Sequence, residues 1–114
     1  MTEKEIFKQY LKSMFTYTQR SILALCLIRH TPICFYGSGL GKSTLVKILR
    51  NAGFENVYAP EDCGCNNAQW SVLDKKGAVA LCMQKGSFDR PLPKNPFSKE
   101  TIYAVCADVL EHTR

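Results

Sequence analysis

Apolar residues near the start of the chain recur at the spacing of helices. Residues 3–15 carry apolar side chains three and four positions apart, which predicts an amphipathic helix. These side chains are Ile6, Tyr10, Leu11 and Met14. Residues 18–29 are apolar on more than one side, so we expect a second helix that is buried. Pro32 disfavours helical geometry at Thr31 and marks the end of that helix.

Three later apolar runs have the character of short buried strands. They are "ICFY" at 33–36, "ENVYA" at 55–59 and "GAVALCM" at 77–83. The first two runs are separated by residues 43–51, whose apolar positions have helical spacing. Those positions are Leu45, Val46, Ile48 and Leu49. A strand, a helix and further strands in this order are typical of a parallel α/β sheet.

A last helix is predicted near the end of the chain, after a loop over 85–96 that holds three of the five prolines. Ser98 is suited to cap this helix. Its apolar face comprises Ile102, Val105, Cys106, Val109 and Leu110. The elements together predict a small three-layer α/β domain, a short parallel sheet of about three strands flanked by helices. Residues 1–30 form its N-terminal helical segment and residues 31–114 its core.

The stretch "YGSGLGKST" at 36–44 joins the first predicted strand to its helix and resembles a phosphate loop. Gly41, Lys42 and Ser43 match the second half of the pattern G-x-x-x-x-G-K-[ST], whereas Tyr36 replaces its first glycine. Glycines let consecutive backbone N–H groups turn toward one anion, and the following helix adds the positive end of its dipole. The alternative interpretation is a glycine-rich turn with a chance Lys-Ser pair.

The predicted nucleotide site follows from this loop. Lys42 would reach the β- and γ-phosphates of ATP, and the Ser43 hydroxyl would bind Mg²⁺. The residues expected to surround the nucleotide are Gly37, Ser38, Gly39, Leu40, Gly41, Lys42, Ser43 and Thr44.

Catalytic groups are harder to find than the phosphate loop. The third predicted strand is followed by Gln84 rather than by the acid that usually holds Mg²⁺ in such enzymes. Asp62, after the second strand, is the candidate metal ligand, although a solvated turn explains it equally well. Gln84 is the candidate for positioning water, and Arg90 for neutralising charge in the transition state, alongside Lys42. We therefore expect slow hydrolysis or none.

Composition limits the classes of protein that remain. With 46% hydrophobic and 22% charged residues the chain is globular, and its net charge of +5 suits a phosphate-bearing partner. Three of the six cysteines, Cys26, Cys82 and Cys106, lie in apolar surroundings, where a thiol behaves as a small hydrophobic side chain. Because the opening stretch is also polar, we expect reduced thiols in the cytoplasm or a host nucleus. The longest apolar run, 22–28, is too short to cross a bilayer, so no membrane partner is expected.

Residues 31–86 resemble the front half of the superfamily-three helicase domain of parvoviruses, polyomaviruses and papillomaviruses. "ICFYGSGLGKSTLVKIL" is similar to that family's strand, phosphate loop and helix. "NNAQWSVLDKKG" followed by an apolar strand is similar to its next stretch, although the acids expected at 82–84 are absent. The resemblance implies a shortened or degenerate P-loop NTPase that binds ATP and Mg²⁺.

The resemblance also implies partners: DNA, and further copies of the chain or a larger replication complex. "KQYLKSMFTYTQR" at 8–20 is the nearest approach to a surface for single-stranded DNA, but its aromatic residues also suit a core. Two other functions stay open. The first is a nucleoside kinase or similar phosphotransferase, with Glu61 or Asp62 binding substrate, and the second is a non-catalytic interaction module that uses the last helix.

Overall fold

The computed structural model describes residues 2–37, 41–59, 79–83 and 97–111, and its elements confirm the predicted order of helices and strands. They are α1 (Glu3–Met14), α2 (Tyr17–Arg29), β1 (Ile33–Tyr36), α3 (Lys42–Asn51), β2 (Val57–Tyr58), β3 (Val79–Cys82) and α4 (Lys99–Glu111). The second strand is shorter than the predicted 55–59. The predicted loop at 85–96 lies outside the described residues.

The sheet is parallel, as predicted, with the strand order β2-β1-β3. Ile33 pairs with Val57 on one side and with Val79 on the other, so β1 is the central strand. Residues 33–35 of β1 are fully buried, which explains why the sequence of this strand is a continuous apolar run. Because the strands are parallel, their carboxyl ends share one edge of the sheet.

The third strand is less buried than its sequence predicts. Ala80 is exposed and Val79 is half-buried, whereas only Leu81 within β3 is fully buried. β3 pairs with β1 alone among the described strands, so one of its sides lacks a described neighbour. The two apolar runs therefore differ in burial. The run at 33–36 forms the central strand β1, whose residues 33–35 are buried, whereas the run at 77–83 contains β3, in which Ala80 is exposed.

The helices and the sheet share one hydrophobic core. Helix α4 packs on α1 and α2, and α2 also contacts β3. On α1 the predicted positions Tyr10, Leu11 and Met14 are buried, whereas the fourth buried residue is Phe7 and Ile6 is only partly buried. The prediction that α2 is buried is wrong for its outer side, where Leu25 and Ile28 are 38% and 39% exposed. In the described residues no helix combines the length and the apolarity needed to cross a bilayer.

A hydrogen bond joins the first turn of helix α2 to the sheet. Thr16 caps the helix, and its backbone N–H donates to Gln19 Oε1 at 3.0 Å, which completes a capping box. Gln19 Nε2 donates to the Cys82 carbonyl at 2.6 Å. The Gln19 side chain therefore accepts a hydrogen bond at the start of α2 and donates another to the carboxyl end of β3.

Gln19→Glu tests this double role. Glutamate can still accept from Thr16, but it cannot donate to Cys82, and it would set an ionised oxygen against a carbonyl. Leaving a partly buried acceptor unpaired costs about 1–3 kcal/mol, so we expect urea unfolding to show a loss in that range. Thr18→Glu adds the same charge to the exposed side of the same turn and should be neutral or slightly stabilising. Equal stability of the two variants would contradict the assignment.

Two ion pairs join α4 to α1. Asp108 Oδ2 lies 2.8 Å from Lys4 Nζ and 2.7 Å from Lys8 Nζ. Hydrogen bonds from Lys4 and from Lys8 lower the pKa of Asp108 from 3.8 to about 2. Because the pairs are partly exposed to solvent, their contribution to stability is about 1 kcal/mol or less.

The stability contributed by Asp108 should depend on pH in a defined direction. Since folding lowers the pKa of Asp108, its contribution is present above 3.8 and is lost as the pH falls toward about 2. Urea unfolding at several pH values should therefore show Asp108→Asn destabilised at neutral pH, with the difference from wild type shrinking in acid. Glu111→Gln, an exposed change of equal charge on α4, is the control. A pH-independent difference would assign the effect to packing.

Candidate phosphate-binding site

The glycine stretch follows the central strand at the carboxyl edge of the sheet. Tyr36 ends β1, Gly37 begins the turn, and Gly41 starts the following helix. This is the edge at which open parallel sheets bind ligands. Residues 38–40 lie outside the described residues, so the site is described from its two ends.

Gly37 is required by its surroundings. Its φ of 108° lies in the region that favours glycine, and a Cβ there would lie 2.7 Å from the Met83 carbonyl oxygen. The Met83 N–H donates to the Tyr36 carbonyl at 2.7 Å, so β3 follows β1 up to the turn. Although Tyr36 stands where the phosphate-loop pattern has its first glycine, the next residue supplies the glycine geometry.

Helix α3 begins without a capping side chain. Its N-cap residue is Gly41, with φ 99°, and the Leu45 N–H donates to the Gly41 carbonyl at 2.9 Å. No acidic residue lies in the first turn. The N–H groups at a helix start and the positive end of the helix dipole together form an arrangement that binds anions.

Lys42 joins the two ends of the glycine stretch. Its Nζ donates to the Gly37 carbonyl at 2.8 Å, and its side chain is half-buried. The ammonium therefore lies at the turn where the sequence predicts that phosphates bind. Ser43 and Thr44 follow in the first turn of α3, both exposed.

Methionines form an apolar support beneath the turn. A Cβ on Gly41 would lie 3.6 Å from Met83 Cε and 3.8 Å from Met14 Sδ. Sequence analysis did not identify Met14, Met83 or Gln19 as part of this region. Gln19 was detectable, because Thr16 and Gln19 have the spacing of a capping box. Met14 was predicted only as an apolar position of α1 and Met83 only as the end of an apolar run, so the sequence did not indicate that either lies near the glycine turn.

The other predicted site residues are not brought together by the described structure. Ser38, Gly39 and Leu40 lie outside the described residues, as do the metal candidate Asp62 and the catalytic candidates Gln84 and Arg90. Within the described ranges no cluster of three or more His, Cys, Asp or Glu side chains is placed to hold a metal ion. The described part of the predicted site therefore comprises Gly37, Gly41, Lys42, Ser43 and Thr44.

The buried thiols have the character of core residues. Burial raises the pKa of Cys26, and it raises the pKa of Cys106 to about 12. Both thiols are therefore protonated at neutral pH, which makes them poor nucleophiles. Cys26 and Cys106 therefore behave as their apolar surroundings predict, whereas Cys82 is only half-buried.

No protein-family model, curated protein or solved structure matches this chain. The resemblance to viral helicases therefore remains a hypothesis based on the quoted motifs.

Gly37→Ala should be the more harmful of two similar substitutions. Gly37 and Gly53 have nearly the same φ, 108° and 105°, so alanine costs about 1–2 kcal/mol in backbone strain at each. At Gly53 a Cβ would meet Lys99 Cδ at 3.6 Å, an ordinary contact, whereas at Gly37 it collides with a backbone oxygen. Urea unfolding should show a larger loss for Gly37→Ala, and equal losses would contradict the close approach to Met83.

Proposed function

We propose that this chain binds ATP with Mg²⁺ through residues 37–44. The observation that carries the proposal is Lys42, whose ammonium lies 2.8 Å from the Gly37 carbonyl at the start of an uncapped helix. Helix, lysine and glycine turn lie at the carboxyl edge of a parallel sheet, next to its central strand. Lysine beside a glycine turn and a helix N-terminus is the chemistry that phosphate requires.

The nucleotide would engage each part in a defined way. Phosphate oxygens would accept from the backbone N–H groups of the turn and of the first turn of α3. Lys42 would exchange the neutral Gly37 carbonyl for an anionic phosphate oxygen, which forms a stronger, charge-assisted hydrogen bond. The Ser43 hydroxyl would bind Mg²⁺, and Asp62 is the further metal ligand that we propose.

The wider proposal is a helicase-like replication protein with weak or no hydrolysis. It is supported by the resemblance of residues 31–86 and by the lack of an acid directly after β3, where the chain has Met83 and Gln84. Single-stranded DNA and further copies of the chain are the partners proposed with it. Gln84 and Arg90 are the proposed catalytic groups.

Removing the ammonium of Lys42 should abolish tight nucleotide binding. Titration of ATP with Mg²⁺ against Lys42→Ala should show a loss of at least about tenfold, equivalent to about 1.4 kcal/mol, because the phosphates lose their cation. Lys47→Ala removes the same charge from an exposed position of the same helix and is the matched control. Equal ATP affinity in wild type and Lys42→Ala would refute nucleotide binding at this turn.

Turnover assays on the same protein separate the proposed activity from its alternatives. ATP hydrolysis stimulated by single-stranded DNA would support the helicase-like protein and contradict weak catalysis. Transfer of phosphate to a nucleoside would identify a kinase instead. Nucleotide binding without turnover would leave a non-catalytic nucleotide-dependent module.

A further inference from the structure

A groove lies between helices α1, α2 and α4, and its described lining includes neither Gly37 nor any residue of α3. We call it the three-helix groove, and its volume is about 310 Å³. Its lining includes the aliphatic side chains of Leu11, Val105 and Val109. A concave site of this size with apolar walls accommodates one or two side chains of a ligand.

Basic side chains surround this apolar lining. Lys8, Lys12 and Arg20 contribute three positive charges, against which Asp108 is the one carboxylate among the described residues of the lining. Asp108 is already paired, because it accepts from Lys8 and from Lys4 outside the lining. Positive charge is therefore in excess around the groove.

Lys12 and Arg20 have donors available for a ligand. Lys12 is exposed and forms no ion pair with any described residue. Arg20 uses Nη1 to donate to the Phe15 carbonyl at 2.9 Å, and its guanidinium lies over the Tyr17 ring at 5.6 Å. Arginine has five N–H donors, so this anchored guanidinium can also bind a carboxylate.

An acidic peptide suits this arrangement better than a nucleic acid does. Among the described residues of the lining, the cations gather around one pocket and do not form a track for successive phosphates. The Tyr17 ring already carries the Arg20 guanidinium on one side. Of the other aromatic residues in the basic stretch 8–20, Tyr10 and Phe15 are buried and take no part. A peptide can place its carboxylates away from Asp108 and fill the aliphatic pocket with one side chain.

We propose that the three-helix groove binds an acidic peptide segment of a protein partner. One apolar side chain of the peptide packs on Val109 and on the exposed Tyr17 ring, and neighbouring carboxylates pair with Lys12 and Arg20. This interaction does not depend on nucleotide binding, since it uses a different set of residues.

Peptide selection on the whole chain tests the proposal without assuming a sequence. A random-peptide phage library selected on the wild-type protein should yield peptides in which Asp and Glu flank an apolar residue. Fluorescence anisotropy should then show binding weakened by at least about tenfold in Lys12→Glu, because the change replaces an attraction by a repulsion. Tyr17→Ala should also weaken binding, since it removes part of the wall.

Matched controls keep the result interpretable. Lys47→Glu makes the same change of net charge on α3 and should leave peptide affinity unchanged, and urea unfolding should show that Lys12→Glu is folded, since Lys12 is exposed. Selection that yields no acidic peptides, or peptides that bind Lys12→Glu and wild type equally, would overturn the proposal. So would an oligothymidylate that binds wild type and fails to bind Lys12→Glu while no acidic peptide binds, because that result identifies a nucleic-acid surface.

Discussion

The contact between Gly37 and the backbone of Met83 determines how the chain leaves its sheet. β3 follows β1 beyond its last residue, through the 2.7 Å hydrogen bond from Met83 to Tyr36. The space for the turn is therefore filled by backbone, and only a residue without Cβ can pass at a positive φ. The direction of α3, the position of Gly41 and the reach of Lys42 all follow from that turn.

Helices α1 and α2 make contacts beside the candidate phosphate-binding site, although the predicted site residues lie outside both helices. Gln19 binds the carbonyl of Cys82, the residue before Met83, so the first turn of α2 holds the end of β3 in place. Met14, at the end of α1, lies beneath Gly41. A short sheet cannot hold a turn rigidly by itself, and here α1 and α2 supply the support.

Much of the fold was predictable because each element has its own periodicity and its own stop signal. Pro32 and Gly53 end two helices, and the strand–turn–helix order around Gly41 predicts a parallel sheet. Periodicity favours Phe7 over Ile6 as the buried position of α1, because Phe7 completes the i, i+3, i+4, i+7 pattern with the other buried residues of that helix. Periodicity does not predict the exposed side of α2, because exposure of Leu25 depends on which elements pack there. In the candidate site the glycines and Lys42 were predictable from local pattern, whereas Met14 and Met83 come from distant segments that only the fold brings together.

The hydrogen bond between Lys42 and Gly37 has an entropic consequence for any anion that enters the turn. By tying residue 37 to residue 42, the lysine closes a small ring of chain before a ligand arrives, and the ordering cost of that closure falls on folding. An anion that binds there would replace one acceptor on an ammonium that is already tethered. Discrimination at such a site favours ligands charged strongly enough to displace a neutral carbonyl, so a dianionic terminus has an advantage over a monoanion of the same shape.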